Sequence, residues 1–369
     1  MKLDGVELRR VELPLSSPFR TSLGVELRRY ILLLRVVTSD AEGWGECVAL
    51  PDPSYSSEYI DGAAEVIRRF VVPALAAHGR LDPAVVAPTL ARIRGHRMAK
   101  AAVEMAVLDA WLRSHRCSYA SYLGATRKTV PVGVSIGIMD GIPQLLEAID
   151  GYIEQGYQRV KLKIEPGWDV EPVRAVRERF GEALALQVDA NGAYTLADAD
   201  HLAELDEFGL VLLEQPFAEE DLRDHAVLGR RLNTPICLDE SIVSARGAAD
   251  AIALGACSVV NIKAGRVGGY LEARRVHDVC AALGVPAWCG GMLETGLGQA
   301  ANLALAALPG CTLPADIVAS SRYYDRDITE PLRLEAGHIA VPDGPGLGAD
   351  PLPDALTEAT TSTEWISLR

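Results

Sequence analysis

Apolar and polar positions alternate through Val6 to Leu15 and again through Arg29 to Val37, the period of two that paired β-strands show. Gly43-Trp44-Gly45-Glu46 opens a turn into a third strand, and the Pro- and Gly-containing stretch Ser17 to Val25 reads as a loop between the first two. Ala63 to Leu75 and Ala99 to Arg113 then carry apolar residues at helical spacing. Strands followed by helices predict a small α+β domain over residues 1–125.

From about Val130 the pattern changes to short apolar runs separated by helical segments. The runs are Val132 to Ile136, Arg159 to Ile164, Leu184 to Val188, Leu210 to Leu213, Ile236 to Leu238, Val259 to Ile262, Val285 to Trp288 and Cys311 to Ile317. They begin roughly 25 residues apart, the length of a repeated βα unit. Eight such units closing on themselves predict an α/β-class (β/α)8 barrel over residues 126–324. A doubly wound open sheet is the rival, but no Gly-rich phosphate fingerprint opens the first unit. The rest, about residues 325–369, turns rich in Pro and Gly from Asp343 and lacks clear periodicity. It is expected to be a surface segment folding back on the first domain.

Composition narrows the function classes. Half of the 369 residues are hydrophobic, enough for a large core, and charged residues supply 23%. A net charge of −14 argues against nucleic acid or an anionic membrane surface as partner. Met1-Lys2-Leu3-Asp4 opens a charged alternating stretch without an apolar signal core, and no apolar stretch is long enough for a membrane span. The cysteines at 47, 117, 237, 257, 280, 289 and 311 are odd in number and form no C-x-x-C pair, which suits reduced thiols in a cytoplasm.

Four strands end in a charged residue just before a turn: Asp189, Glu214, Asp239 and Lys263. A fifth carries Lys161-Leu162-Lys163, two lysines on one face because strand side chains alternate. Taken singly, such an acid is ordinarily the N-cap of the next helix, and a Lys-x-Lys pair a solvated face. Jointly they are harder to dismiss. The acids are each 25 residues from the next, so they reach matching heights on three consecutive strands. Inward charges at one end of a barrel are unfavourable unless they neutralise one another or hold a metal, and that end is where barrel active sites lie. Three carboxylates without His or Cys form a hard-oxygen site suited to Mg²⁺ or Mn²⁺. Such a metal can accept a substrate carboxylate and stabilise the anion left when its α-proton departs. A base is also needed, and Lys161 beside Lys163 supplies a like charge that lowers the pKa of Lys163.

With these residues the chain resembles the enolase superfamily, in its muconate-lactonizing subgroup. The subgroup signature is Lys-x-Lys on the second barrel strand, Asp, Glu and Asp on the third to fifth, and Lys on the sixth. Lys161, Lys163, Asp189, Glu214, Asp239 and Lys263 match it without departure. The resemblance implies a modified TIM barrel, (β/α)7β, under an N-terminal α+β capping domain, with Lys163 and Lys263 as opposed bases. The stretches Asp189-Ala190-Asn191-Gly192, Glu214-Gln215-Pro216, Leu238-Asp239-Glu240-Ser241, Asn261-Ile262-Lys263 and Gly290 to Gly296 are similar to the branch holding the o-succinylbenzoate synthases and the N-acylamino acid racemases. Arg266 after Lys263 is typical of that branch; alone it would be an ordinary loop cation paired with an acid. If it approaches Lys263, it lowers the pKa of that lysine.

The resemblance further implies a small-molecule carboxylate substrate and self-association into a homo-oligomer. It places Phe19, Tyr55, Ser135, Asn191 and Met292 at the substrate, with Glu240 and Arg266 behind the metal ligands and lysines. Dipeptide epimerases carry Asp-x-Asp near the eighth strand, but Asp316-Ile317-Val318 lacks the second acid. Mandelate-racemase-like members use a His base, and no histidine lies between His277 and His338. A barrel that binds metal or ligand without turnover would be expected to have lost a base or a ligand, and all six positions are intact.

Overall fold

In the computed structural model, which describes residues 1–368, the chain opens with a meander of β1 (Leu3–Thr21), β2 (Gly24–Thr38) and β3 (Glu42–Cys47). The run Ile31 to Leu34 is apolar at every position because the sheet is covered on both faces. Leu32 and Leu34 join a capping-domain core with Val6, Leu8 and Ile67. Ile31 and Leu33 face the other way, into the core shared with the barrel. Helix Arg97–Ser114 is buried almost all round and lies against β3, whose glycines let the two backbones meet. A Cβ on Gly45 would stand 2.0 Å from the Ala102 carbonyl oxygen, inside rigid helix backbone. Gly45→Ala is therefore expected to destabilise the fold by about 1–3 kcal/mol, measured as a lower denaturation midpoint with an unchanged slope.

The segment expected as a loop over residues 17–25 is extended instead. β1 runs on to Thr21, its register with β2 slips between Pro14 and Phe19, and Phe19 then pairs with Glu26. The Pro and Gly mark a bulge and a tight turn in one long hairpin. Its tip reaches over the barrel mouth: the Ile138 N–H donates to the Arg20 carbonyl at 2.8 Å, and Ser22 Oγ donates to the Ala190 carbonyl at 3.1 Å.

After β4 (Thr129–Pro131) come seven parallel strands: β5 (Val134–Ile136), β6 (Arg159–Lys163), β7 (Ala185–Asp189), β8 (Leu213–Glu214), β9 (Ile236–Leu238), β10 (Val259–Ile262) and β11 (Ala287–Cys289). They pair in sequence order and a helical segment follows each. The eighth unit is irregular. Residues 311–316 bridge the two edge strands through Ala287 with Cys311 and Val132 with Ala315, and the Asp316 N–H donates to the Cys289 carbonyl at 2.9 Å. A short 3-10 turn, Ser320–Arg322, stands where an eighth helix would be. The architecture is a curled, barrel-like parallel sheet beneath a capping domain.

β12 (Leu334–Glu335) and β13 (His338–Ala340) extend β4 into a small sheet. The C-terminal stretch differs from the irregular segment expected: helix Pro353–Ala359 leads into β14 (Thr360–Ser367), which pairs antiparallel with β1 at the edge of the capping sheet. Among the described residues, no helix is long and apolar enough to cross a membrane.

Candidate active site

Strand alternation aims Lys161 and Lys163 of β6 to one side, and parallel register sets Lys163 level with Asp189 and Asp189 level with Glu214. Asp239 follows β9 directly. The three acids are fully buried, and one oxygen from each lies within 4.8 Å of the others. Three buried carboxylates converging without nitrogen or sulfur fit a hard divalent cation.

Cations surround the acids. Lys161 Nζ lies 3.1 Å from Asp189, 3.3 Å from Glu214 and 3.2 Å from Asp316, above the Trp288 ring at 5.1 Å. Lys163 Nζ donates to Asp189 Oδ2 at 2.6 Å and to Asn191 Oδ1 at 2.7 Å. Across the triad, Lys263 Nζ is 2.8 Å from Asp239 Oδ2, 3.4 Å from the Tyr55 hydroxyl and 3.5 Å from the Met292 sulfur. Lys163 and Lys263 thus each hold an outer member of the triad, from opposite sides.

Three strand-end turns are held in the left-handed region by residues other than glycine: Asn191 (φ 44°), Gln215 (φ 37°) and Leu293 (φ 56°). That conformation costs roughly 1–2 kcal/mol per residue, and local hydrogen bonding offsets it. Gln215 Oε1 accepts from the Asp239 and Ser241 N–H groups at 3.0 and 3.2 Å, fixing the approach of the next acid. Asn191 Nδ2 donates to Glu240 at 2.9 Å, so the residue that meets Lys163 is itself anchored.

The two lysines sit in opposed fields. Burial pulls Lys163 down; Asp189 opposes this, Lys161 adds to it, and the net direction is downward. The like charge of Lys161 thus contributes, but burial is the larger cause. Burial also pulls Lys263 down, yet Tyr55 and the acids Glu240, Glu214 and Asp189 outweigh it and hold the ammonium charged. Arg266 shares Asp239 with Lys263. Its guanidinium grips the other oxygen of Asp239 and donates to the Ile242 and Asn261 carbonyls at 2.8 and 2.6 Å. Lys161→Ala is expected to move the acid limb of the pH–rate profile to higher pH, since one of the charges disfavouring Lys163 protonation is gone; an unchanged limb excludes that influence.

A solvent-open cleft of about 740 Å³ lies between the barrel mouth and the capping domain. Phe19, Tyr55, Ser135, Asn191 and Met292 line it together with Lys161, Lys163 and Lys263. Glu240 is buried behind Asn191, and its carboxyl is pushed up by burial and by Asp189. Four further residues were not assigned to the site from the sequence. Asn261 donates to Glu214 at 2.7 Å. Asp316 accepts from Ser135 at 2.7 Å and lies against Lys161 and Arg159, so the lone acid of the eighth unit is part of the polar floor. Its position after an apolar run was the available signal. Tyr323 and Arg29 also line the cleft. Arg29 shares strand parity with Ile31 and Leu33, which would have turned it inward.

A capped parallel barrel whose mouth holds a buried Asp/Glu/Asp triad between two lysines is the scaffold of a metal-assisted proton-abstracting enzyme. Residues 5–124 match the mandelate racemase / muconate lactonizing enzyme N-terminal domain, and residues 144–355 match the enolase C-terminal domain-like family. The chain belongs to the enolase superfamily, whose enzymes act by proton abstraction and use divalent metals. It is 65% identical over 366 residues to an N-succinylamino acid racemase from Amycolatopsis sp, covering 99% of this chain and 100% of that one. It is 47% identical over 352 residues to an o-succinylbenzoate synthase from Geobacillus kaustophilus, covering 95% and 94%. A crystal structure of an enolase-superfamily member from Listeria innocua superposes with a TM-score of 0.96 at 40% identity over 100% of both chains.

Proposed function

We propose that this chain removes the proton α to a carboxylate of a succinylated substrate, serving as an o-succinylbenzoate synthase of menaquinone biosynthesis and racemising N-acylamino acids in the same cleft. The observation carrying this reading is the placement of Lys163 and Lys263 on opposite sides of one buried acidic triad, within one cleft. Asp189, Glu214 and Asp239 would hold Mg²⁺, with Mn²⁺ a workable substitute. Bound there, the cation supplies the positive charge that makes so weak a carbon acid ionisable.

In the dehydration, Lys163 takes the α-proton on its face of the substrate. That same proton is then available to the departing hydroxyl, so water leaves and the lysine is neutral again. Lys263 stays charged on the other face. In the racemisation one lysine takes the proton and the other returns one to the opposite face, so Lys263 must also be able to give up its proton. Tyr55 and Met292, both against Lys263, wall that side; Phe19 closes the cleft from the hairpin; Ser135 and Asn191 hold the polar floor. Glu240 anchors Asn191, and Arg266 fixes Asp239. Unpaired cysteines suit a cytoplasmic setting, and self-association fits the family.

The 65% identity to a protein named as a racemase favours a second reading, a dedicated N-acylamino acid racemase. One experiment separates the two. With Mg²⁺ in D₂O, each enantiomer of N-succinyl-phenylglycine should exchange its α-proton, and Lys263→Ala should lose exchange for one enantiomer selectively. The synthase substrate should also be dehydrated. Exchange without dehydration leaves the racemase alone; dehydration without exchange leaves a synthase alone.

A further inference from the structure

Four cationic side chains line the cleft: Lys161, Lys163, Lys263 and Arg29. The three lysines each lie within 3.3 Å of a carboxylate of the barrel. Arg29 does not. It projects from β2 of the capping sheet, is 1% exposed, and among the described residues has no carboxylate within 4.0 Å. Its Nε and Nη1 have no hydrogen-bond partner, and Nη2 makes only a marginal contact with the Val48 carbonyl at 3.5 Å. Glu26 lines the same cleft but forms no ion pair with it. An unpaired buried guanidinium is a strongly unfavourable arrangement for a free-standing core, because a buried charge is tolerated when it is paired. Its unclaimed N–H donors make it a ready receptor for an anion.

The molecules of the two proposed reactions share one feature apart from the carboxylate next to the reacting carbon. Both o-succinylbenzoate and an N-succinylamino acid carry a four-carbon succinyl arm ending in a second carboxylate. We propose that Arg29 binds this remote carboxylate, so that the substrate spans the cleft with one carboxylate at the barrel triad and the other at the capping sheet. The assignment rests on the proposed function and adds the residue that selects succinyl over neutral acyl groups. It also accounts for one cleft accepting an aromatic acid and an amino acid derivative: the shared arm is gripped at its end, while the apolar walls of Phe19, Leu23, Leu50 and Met292 accommodate the remainder. Arg29 is a binding residue here and takes no part in proton transfer.

The test compares N-succinyl-phenylglycine with its succinyl methyl ester, which has the same arm without the charge. For the wild-type protein with Mg²⁺, kcat/KM for racemisation should favour the free acid by about 10- to 100-fold, as expected for charge-assisted hydrogen bonds. In Arg29→Met the preference should fall to near unity, through KM rather than kcat, and Arg29→Lys should restore part of it. Calorimetric binding of o-succinylbenzoate to the wild type and to Arg29→Met, which needs no turnover, should weaken by a similar factor in the variant. No preference in the wild type, or a preference that survives in Arg29→Met, overturns the assignment. If the wild type turns over neither substrate, the racemase reading fails by itself, and the binding comparison still decides Arg29. Should Arg29→Met fail to fold, the wild-type ratio and its change in Arg29→Lys decide the assignment.

Discussion

Lys163→Ala is expected to abolish dehydration, with kcat falling by roughly 10²–10⁴-fold or more, the usual contribution of a positioned base. The argument is positional. Lys163 is the last residue of β6, it faces the cleft, and its nearest neighbours are the acceptors Asp189 and Asn191. A second lysine cannot stand in for it on that face. Lys161 is tied to three carboxylates, and Lys263 lies on the far side of the triad. The fold should survive, because Asp189 keeps Lys161 at 3.1 Å as a counter-charge when Lys163 is gone. A thermal midpoint within a few degrees of wild type, with turnover lost, is the expected pair of measurements. For the racemisation the same variant should retain α-proton exchange only for the enantiomer that presents its proton to Lys263. Dehydration at an appreciable rate in Lys163→Ala would remove this lysine from the reaction.

The barrel was readable in the sequence because its strands are short apolar runs that end in a charge, and buried parallel strands leave little room for other residue types. Ile236 to Leu238 and Val259 to Ile262 coincide with the observed strands. The misread segments each have a local cause. Pro18 and Gly24 look like loop punctuation over residues 17–25, yet a slip in register lets one hairpin absorb both. β14 reads Thr-Thr-Ser-Thr-Glu-Trp-Ile-Ser and has no buried face to impose alternation, since it is an edge strand paired to β1 alone. The charged strand ends of the site stood out through their spacing. The partners of those charges did not: Arg266 could have reached Lys263 or Asp239, and only tertiary placement shows that it holds Asp239. The contacts of Asn261 and Asp316 were hidden for the same reason, since only the fold brings Glu214 to the one and Lys161 to the other.

Glu214→Gln should weaken divalent-metal binding by at least about 100-fold, the upper end of what is lost when a residue merely supporting a ligand is changed. The substitution keeps the shape of the side chain and removes one of three negative charges. It also places an amide NH₂ where only acceptors are wanted. Glu214 Oε1 accepts from Asn261 at 2.7 Å, and Oε2 faces Lys161 at 3.3 Å, so either orientation of the amide sets donor against donor. Gln at this central position therefore disturbs its neighbours as well as the ligand set. Lys161 retains Asp189 and Asp316 as counter-charges, which should keep the strand ends in place. Turnover should fall further than occupancy alone dictates, by about 10²–10³-fold even at saturating metal. A cation held by an altered ligand set would be misplaced against the developing anion, a stabilisation worth several kcal/mol when it is in place, and each 1.36 kcal/mol is about tenfold in rate. Titration of Mn²⁺ by electron paramagnetic resonance reads the affinity without reference to activity, and dehydration at high Mg²⁺ reads the second effect. Full turnover by the wild-type protein after exhaustive chelation, or wild-type metal affinity in Glu214→Gln, would show that this buried triad of acids is held together by Lys161, Lys163 and Lys263 for its own sake, with no metal between them.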